Sequence, residues 1–289
     1  MSKRKGIMLF SPFEEKRLAK WKPPYIVQIK YDGDRSRNLP IRDSSMLLSS
    51  EENPFFSVPH VNEQLTRSGL FKYPLDGELY NHDLFLEGGH ELIHSIASRT
   101  VNLHPRHKEL DFIVFDLQEP GVPQVERIIT LSNLISATSR SIKLAPQWIC
   151  HSLDEIKRVY DKVIASKYEG IIIRHIGGNY LIKEDKAPRT TFGMKFKPKK
   201  KDSYTIIGYK EEHTLKGVPK GIVGSIICTS GDGDIFSVGA GLDDQQKWNL
   251  WQIKDRIKGC VATIHYQHLT NKGIPKGTFD VEIPDLGIF

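Results

Sequence analysis

The chain is short of cysteine, long apolar runs and low-complexity tracts, and each absence narrows what it can be. Its three cysteines, Cys150, Cys228 and Cys260, lie far apart and form no Cys-x-x-Cys pair. That spacing supplies neither a disulfide framework nor a thiolate metal site, so isolated core thiols in a reducing cytoplasm are expected. No apolar run approaches the roughly 18 residues of a membrane span. The basic start, Met1 to Gly6, leads into an apolar stretch that ends at Phe10, too short for the core of a signal peptide. The expectation is a soluble cytoplasmic protein with no membrane partner. Negative charge is also in deficit. Lys and Arg number 41 against 35 Asp and Glu, a net charge of +6 that leans towards a polyanionic partner.

At 289 residues, two domains are the natural expectation. The first 200 residues mix strand-like runs with helical patches. Tyr25 to Ile29, Phe112 to Phe115 and Gly170 to Ile173 read as strands. Leu153 to Ile164 places Leu153, Ile156, Val159, Tyr160, Val163 and Ile164 on one helical face, with Ser152 and Glu155 as a capping box. Lys195-Phe-Lys-Pro-Lys-Lys-Lys201 then breaks the composition, as a solvated linker or a phosphate-facing surface. Beyond it, Tyr204–Tyr209, Ile222–Cys228, Ile235–Val238, Val261–Tyr266 and Phe279–Ile283 read as strands, and Asp243 to Lys258 as a helix. Five short strands and one helix suit an oligonucleotide-binding (OB) barrel. The predicted class is α+β, with domains at 1–201 and 202–289.

The sharpest motif is Lys30-Tyr-Asp-Gly-Asp-Arg35, directly after a strand-like run. Lys-x-Asp-Gly-x-Arg arises by chance on the order of a few times per thousand chains of this length. It reads as a strand end that delivers a lysine into a pocket, followed by an Asp-Gly turn; the alternative is an exposed hairpin turn. Further along stand Asp76-Gly-Glu78, with a carboxylate at a turn-to-strand junction, and the aromatic strand Phe112 to Leu117 containing Phe115. Glu169 leads into the isoleucine run, and Lys195 and Lys197 share one side of an extended segment. Singly, each also fits an ordinary surface or core role.

In this order the motifs resemble those of the covalent nucleotidyltransferases, the superfamily of DNA ligases, RNA ligases and mRNA capping enzymes, from about Pro24 to Phe289. The resemblance implies an adenylation domain of antiparallel sheets with flanking helices, followed by an OB-fold barrel. It implies that Lys30 carries AMP and that Arg35 contacts ribose or the nick phosphate. Glu78 would bind the nucleotide sugar or metal, Phe115 would stack on adenine, and Glu169 would help hold a divalent cation. Lys195 and Lys197 would neutralise the triphosphate, and Gln28 with the backbone of Ile29 would read the adenine edge. ATP, Mg²⁺ (or Mn²⁺) and nicked double-stranded DNA follow as donor, metal and partner, with a monomer expected. Gly221-Ile-Val-Gly-Ser-Ile and Phe236 to Leu242 are similar to the glycine-punctuated OB domain of DNA ligases, as Gly259 to Tyr266 and Leu269 to Pro275 are to the strand and turn near their ends.

The chain departs from the family pattern twice. Near Leu47 to Glu51 the arginine of the usual Ser-Arg motif is replaced by Ser50, and near Glu282 to Leu286 the basic residues of the final motif are missing. Replacement charge is sought in Lys199 to Lys201, or in Lys183, Lys186 and Arg189. An RNA ligase, a capping enzyme or a binding protein that has lost catalysis stays open as an alternative. Only 29 residues precede Lys30, so neither a nicotinamide-binding nor a DNA-clamping N-terminal domain is expected.

Overall fold

The computed structural model describes residues 4–135, 140–198, 200–230, 233–266, 268–270, 273–278 and 280–288. By contact density the chain divides into two compact units, Met1–Lys197 and Pro198–Phe289.

The first unit carries two five-stranded sheets. One orders its strands as Leu9–Pro12, Arg189–Phe196, Gly170–His175, Tyr25–Lys30 and Gln147–Cys150. The other runs Ser44–Ser49, Asp34–Ile41, Leu75–Tyr80, Asp111–Leu117 and Ile142–Leu144. Pairing is antiparallel except at one edge of each sheet, where Leu9–Pro12 and Ile142–Leu144 lie parallel to their neighbours. The inner strands Tyr25–Lys30 and Asp111–Leu117 are buried almost throughout, as continuous apolar runs require. One apolar core joins residues of both sheets to helices, including Val27, Ile29, Leu79, Phe112, Val114 and Ile173. The helix Leu153–Ala165 docks through Ile156 and Val163, and the Ser152 side chain caps it by accepting from the Glu155 N–H at 3.2 Å. Glu155 does not close the box on Ser152; its Oε2 accepts from the His151 N–H at 2.7 Å instead.

A charged cluster is sealed inside this unit. Asp116, fully buried, accepts from Arg127 Nε at 2.8 Å and from Arg174 Nη1 at 2.6 Å. Removing one member of a buried ion cluster strands the others without partners. Asp116→Ala is therefore expected to destabilise the unit by ~3–5 kcal/mol, which denaturant unfolding of the two proteins measures.

The second unit is the expected small barrel sheet, in the order Ile235–Val238, Pro219–Thr229, Lys200–His213, Val261–Tyr266 and Asp280–Glu282. The long strands Lys200–His213 and Pro219–Thr229 pair across three register shifts, which lets them bend. The helix is Asp244–Gln252, shorter than the sequence suggests, with Asp243 as its cap in a reciprocal box with Gln246. Its own core contains Ile206, Val223, Ile226, Leu250, Ile264 and Val281. The lysine-rich run is not a single linker. Lys195 lies in the strand Arg189–Phe196, while Lys200 and Lys201 open a barrel strand. Lys199, Asn271, Lys272 and Phe279, which belong to the motifs and strand-like runs named above, lie outside the described residues.

Candidate active site

Lys30 ends its strand opposite Gly170, and Asp34 begins a strand of the other sheet opposite Leu79. The turn between them is therefore a crossover from sheet to sheet, and the hairpin alternative is excluded. Lys30, Tyr31 and Asp32 all border a cavity of about 460 Å³, and the Tyr31 ring is buried among other aromatic rings. Tyr31 lies 4.9 Å from Tyr80 and 5.9 Å, edge-on, from Tyr168. Tyr168 immediately precedes Glu169, so one aromatic cluster positions both the lysine and the carboxylate that faces it. Glycine is required in the turn because a Cβ on Gly33 would run into the Leu79 carbonyl oxygen. Gly170 is required for the same reason: its Cβ would meet the Phe196 carbonyl, and its φ of +152° is one that side chains rarely adopt.

The Lys30 ammonium contacts Glu169 Oε2, and Lys197 Nζ lies 3.2 Å from Glu169 Oε1. Burial raises the Glu169 carboxyl, but Lys30 and Lys197 outweigh it and hold its pKa below the ordinary value. Lys195 is pushed down by burial and by the neighbouring charges of Lys197 and Lys30. Glu78 also faces the cavity, and burial drives its pKa up to about 7 although Arg35 and Lys30 pull the other way. It sits inside the strand Leu75–Tyr80 and not at a turn. Asp76-Gly77 marks a register shift there, and Gly77 allows the Ile113 carbonyl to approach closely.

Arg35 lines the cavity but is held from behind. Its Nε and Nη2 donate to the two oxygens of buried Asp76 at 2.7 and 2.6 Å, and the Tyr180 hydroxyl donates to Asp76 at 2.6 Å. The fork is thereby fixed in one orientation. Its guanidinium lies 4.6 Å from the centre of the Phe115 ring. Gln28 donates to the Phe115 carbonyl at 3.0 Å, while its buried Oε1 has no partner. Thus Gln28, Ile29, Lys30, Arg35, Glu78, Phe115, Glu169, Lys195 and Lys197 all line one cavity. Arg189 and Ser50 line it too, whereas Lys183 and Lys186 do not.

Four further contributors do not stand out in the sequence motifs. Asp76 and Tyr180 support Arg35 from segments 104 residues apart, a link only tertiary structure reveals. His90 and His94 approach Asp34 at the cavity edge, and their spacing of four on a helix was a visible signal.

No helix among the described residues is long and apolar enough to cross a membrane. A Lig E DNA ligase structure superposes with a TM-score of 0.73 at 20% identity, covering 96% of this chain and 99% of that one. The DNA ligase of African swine fever virus is 30% identical over 164 residues, which is 54% of this chain and 37% of the viral protein. The DNA ligase of Archaeoglobus fulgidus is 25% identical over 169 residues, 54% of this chain and 28% of the archaeal protein. The match thus spans well under half the length of either relative. Residues 216–280 match the DNA ligase OB-like domain. Residues 7–189, which hold Lys30 and most of the cavity lining but not Lys195 and Lys197, match the ATP dependent DNA ligase domain, and the chain belongs to that family.

Proposed function

We propose that the chain is an ATP-dependent DNA ligase that joins 5′-phosphate and 3′-hydroxyl ends at nicks in duplex DNA. The reading rests on one observation above all: the Lys30 amine faces a cavity that also holds Lys195, Lys197, Glu78 and Glu169. In the first step Lys30 Nζ attacks the α-phosphorus of ATP, forming an N–P bond as the bond to pyrophosphate breaks and the amine loses its proton. The AMP group then passes to the DNA 5′-phosphate, which releases Lys30. Last, the 3′-hydroxyl attacks that phosphate and AMP leaves. Each step gathers negative charge on phosphate oxygens, so lysines and arginine held in place beforehand lower the barrier.

Within the cavity, Lys195 and Lys197 would neutralise the triphosphate, and Arg35, pinned by Asp76, would hold ribose or the nick phosphate. The unpartnered Gln28 Oε1 suits the adenine amino group as donor, because a buried acceptor without a partner is costly. The backbone of Ile29 lies beside it. Phe115 would stack on the purine. Phe115→Leu keeps the site apolar but removes the stacking face, worth about 1–3 kcal/mol per base. The expected result is a KM for ATP raised roughly ten-fold with thermal stability little changed, read from the rate of AMP labelling against ATP concentration.

The donor set also fits Mg²⁺ (or Mn²⁺). Glu78 and Glu169 offer hard carboxylate oxygens, and Glu78, buried and raised to about 7, gains from a cation beside it. A bound Mg²⁺ would offset phosphate charge in the transition state. Glu78 becomes a carboxylate as pH rises through about 7, so cation binding should strengthen over the same window. The Mg²⁺ concentration for half-maximal labelling should fall by up to about ten-fold per unit below that pH and level off above it. Glu78→Gln should flatten that dependence.

The barrel unit would help grip DNA; the Lig E ligase it resembles is described as binding DNA with a minimal scaffold. The chain would act as a monomer, with the labour divided between the unit that ends at Lys197 and the barrel unit that begins at Pro198, four residues before the boundary expected from the sequence. Incubation with ATP, Mg²⁺ and a nicked duplex of DNA or of RNA, followed on denaturing gels, tests the function. Sealing of nicked DNA is the expected result. Sealing of nicked RNA alone would move the chain to the RNA ligases, and no sealing with no adduct would make it a binder.

A further inference from the structure

The helix His82–Ala97 is kinked at Gly88–Gly89, where Gly89 takes a φ of +64°. Buried Ile93, Ile96 and Ala97 then fix the segment that follows. On it runs His90-Glu-Leu-Ile-His94, and residues four apart share a helix face. Both imidazoles are turned on Asp34, the first residue of the neighbouring strand. His94 Nδ1 lies 3.1 Å from Asp34 Oδ1, and His90 Nε2 lies 3.6 Å from the same oxygen. The two rings are nearly parallel, 5.6 Å apart at 13°.

We propose that Asp34, His90 and His94 bind one transition-metal ion of the Zn²⁺ type, at a site separate from the Glu78 and Glu169 carboxylates. Three donor atoms lie within 4.8 Å of one another. A tetrahedral ion with bonds of about 2.0–2.2 Å sets its donors roughly 3.3–3.5 Å apart, and the two separations from Asp34 bracket that value. One carboxylate facing two imidazoles, the second beyond good hydrogen-bond length, is more than a lone His–Asp pair needs. Two imidazoles with one carboxylate favour zinc-like ions over Mg²⁺, which prefers oxygen alone. The chemistry is not that of a protein-cleaving zinc site, because Glu91 is exposed and His94 presents Nδ1.

Asp34, His90 and His94 themselves line the lysine-centred cavity, together with Ser50. Three protein ligands leave a fourth position, and a phosphate oxygen from a nucleotide or a DNA end is the ligand suited to it. This last part rests on reading the cavity as the site of phosphate transfer. The metal site does not.

Tag-free, chelator-treated protein titrated with Co²⁺ in excess Mg²⁺ separates the two claims. One Co²⁺ per chain with the visible absorption of a low-coordinate site is expected, unchanged in Glu91→Ala and Glu169→Ala. His90→Ala and His94→Ala should each weaken binding at least about ten-fold. His94 is exposed, so its loss leaves the fold intact, which circular dichroism checks. Added pyrophosphate should shift the absorption band. Failure to bind Co²⁺, or binding that survives both histidine changes together, overturns the metal site. An unshifted band overturns the phosphate ligand alone.

Discussion

Lys30→Ala is expected to leave less than about one thousandth of the wild-type AMP labelling, because removing a covalent nucleophile leaves only binding and electrostatics. The folded structure should survive the change. Lys30 is the last residue of its strand, part-exposed to the cavity, and the strand is held by Tyr31 on one side and by pairing with Gly170 on the other. Nick sealing should fall in parallel when ATP is the only source of AMP. Sealing of DNA supplied already adenylated should fall much less, since that step no longer forms a bond to Lys30. Labelling that persists in this variant would put the adduct on another lysine, with Lys195 and Lys197 the neighbours to examine.

The second large effect belongs to Glu169. It touches Lys30 and Lys197 together, so it sets where both amines stand, and we propose it as a metal holder. Glu169→Gln keeps the volume but removes the charge between two cations. Adenylation at saturating ATP should slow by on the order of 10²–10³-fold, the scale of losing one preorganised charge in a transition state. ATP affinity should change far less, because the interaction grows as phosphate charge develops. Single-turnover rates against ATP concentration distinguish these. A variant whose KM rises at unchanged maximal rate would make Glu169 a binding residue only.

Local signals in the chain were legible before the structure. Tyr25 to Ile29 showed as a strand because four apolar or aromatic residues with one glutamine end at a charged turn, and the helix at 153–164 showed through its apolar face and Ser152 cap. The barrel was legible because short alternating runs recur between glycines. What stayed hidden was long-range. Gly170–His175 lies between Tyr25–Lys30 and Arg189–Phe196 in its sheet, a placement no local pattern encodes. Lys195 to Lys201 showed only as a solvated linker or a phosphate-facing surface because composition registers charge and not pairing, and its two ends are strand residues. At the site, the lysine turn, Glu78, Phe115, Glu169 and the paired lysines were all nameable in advance. The roles of Asp76, Tyr180, His90 and His94 were not, because a buttress or a shared ligand is defined by the element it meets.

The central claim is that one lysine, Lys30, takes the nucleotide. Wild-type protein incubated with ATP and Mg²⁺, cleaved to peptides under conditions that preserve phosphoramidates and read by mass spectrometry, tests this directly. The predicted result is a single added AMP on the peptide containing Lys30, lost on brief acid treatment. An adduct confined to a peptide containing Lys195 or Lys197, or no adduct in protein that binds ATP, would contradict it.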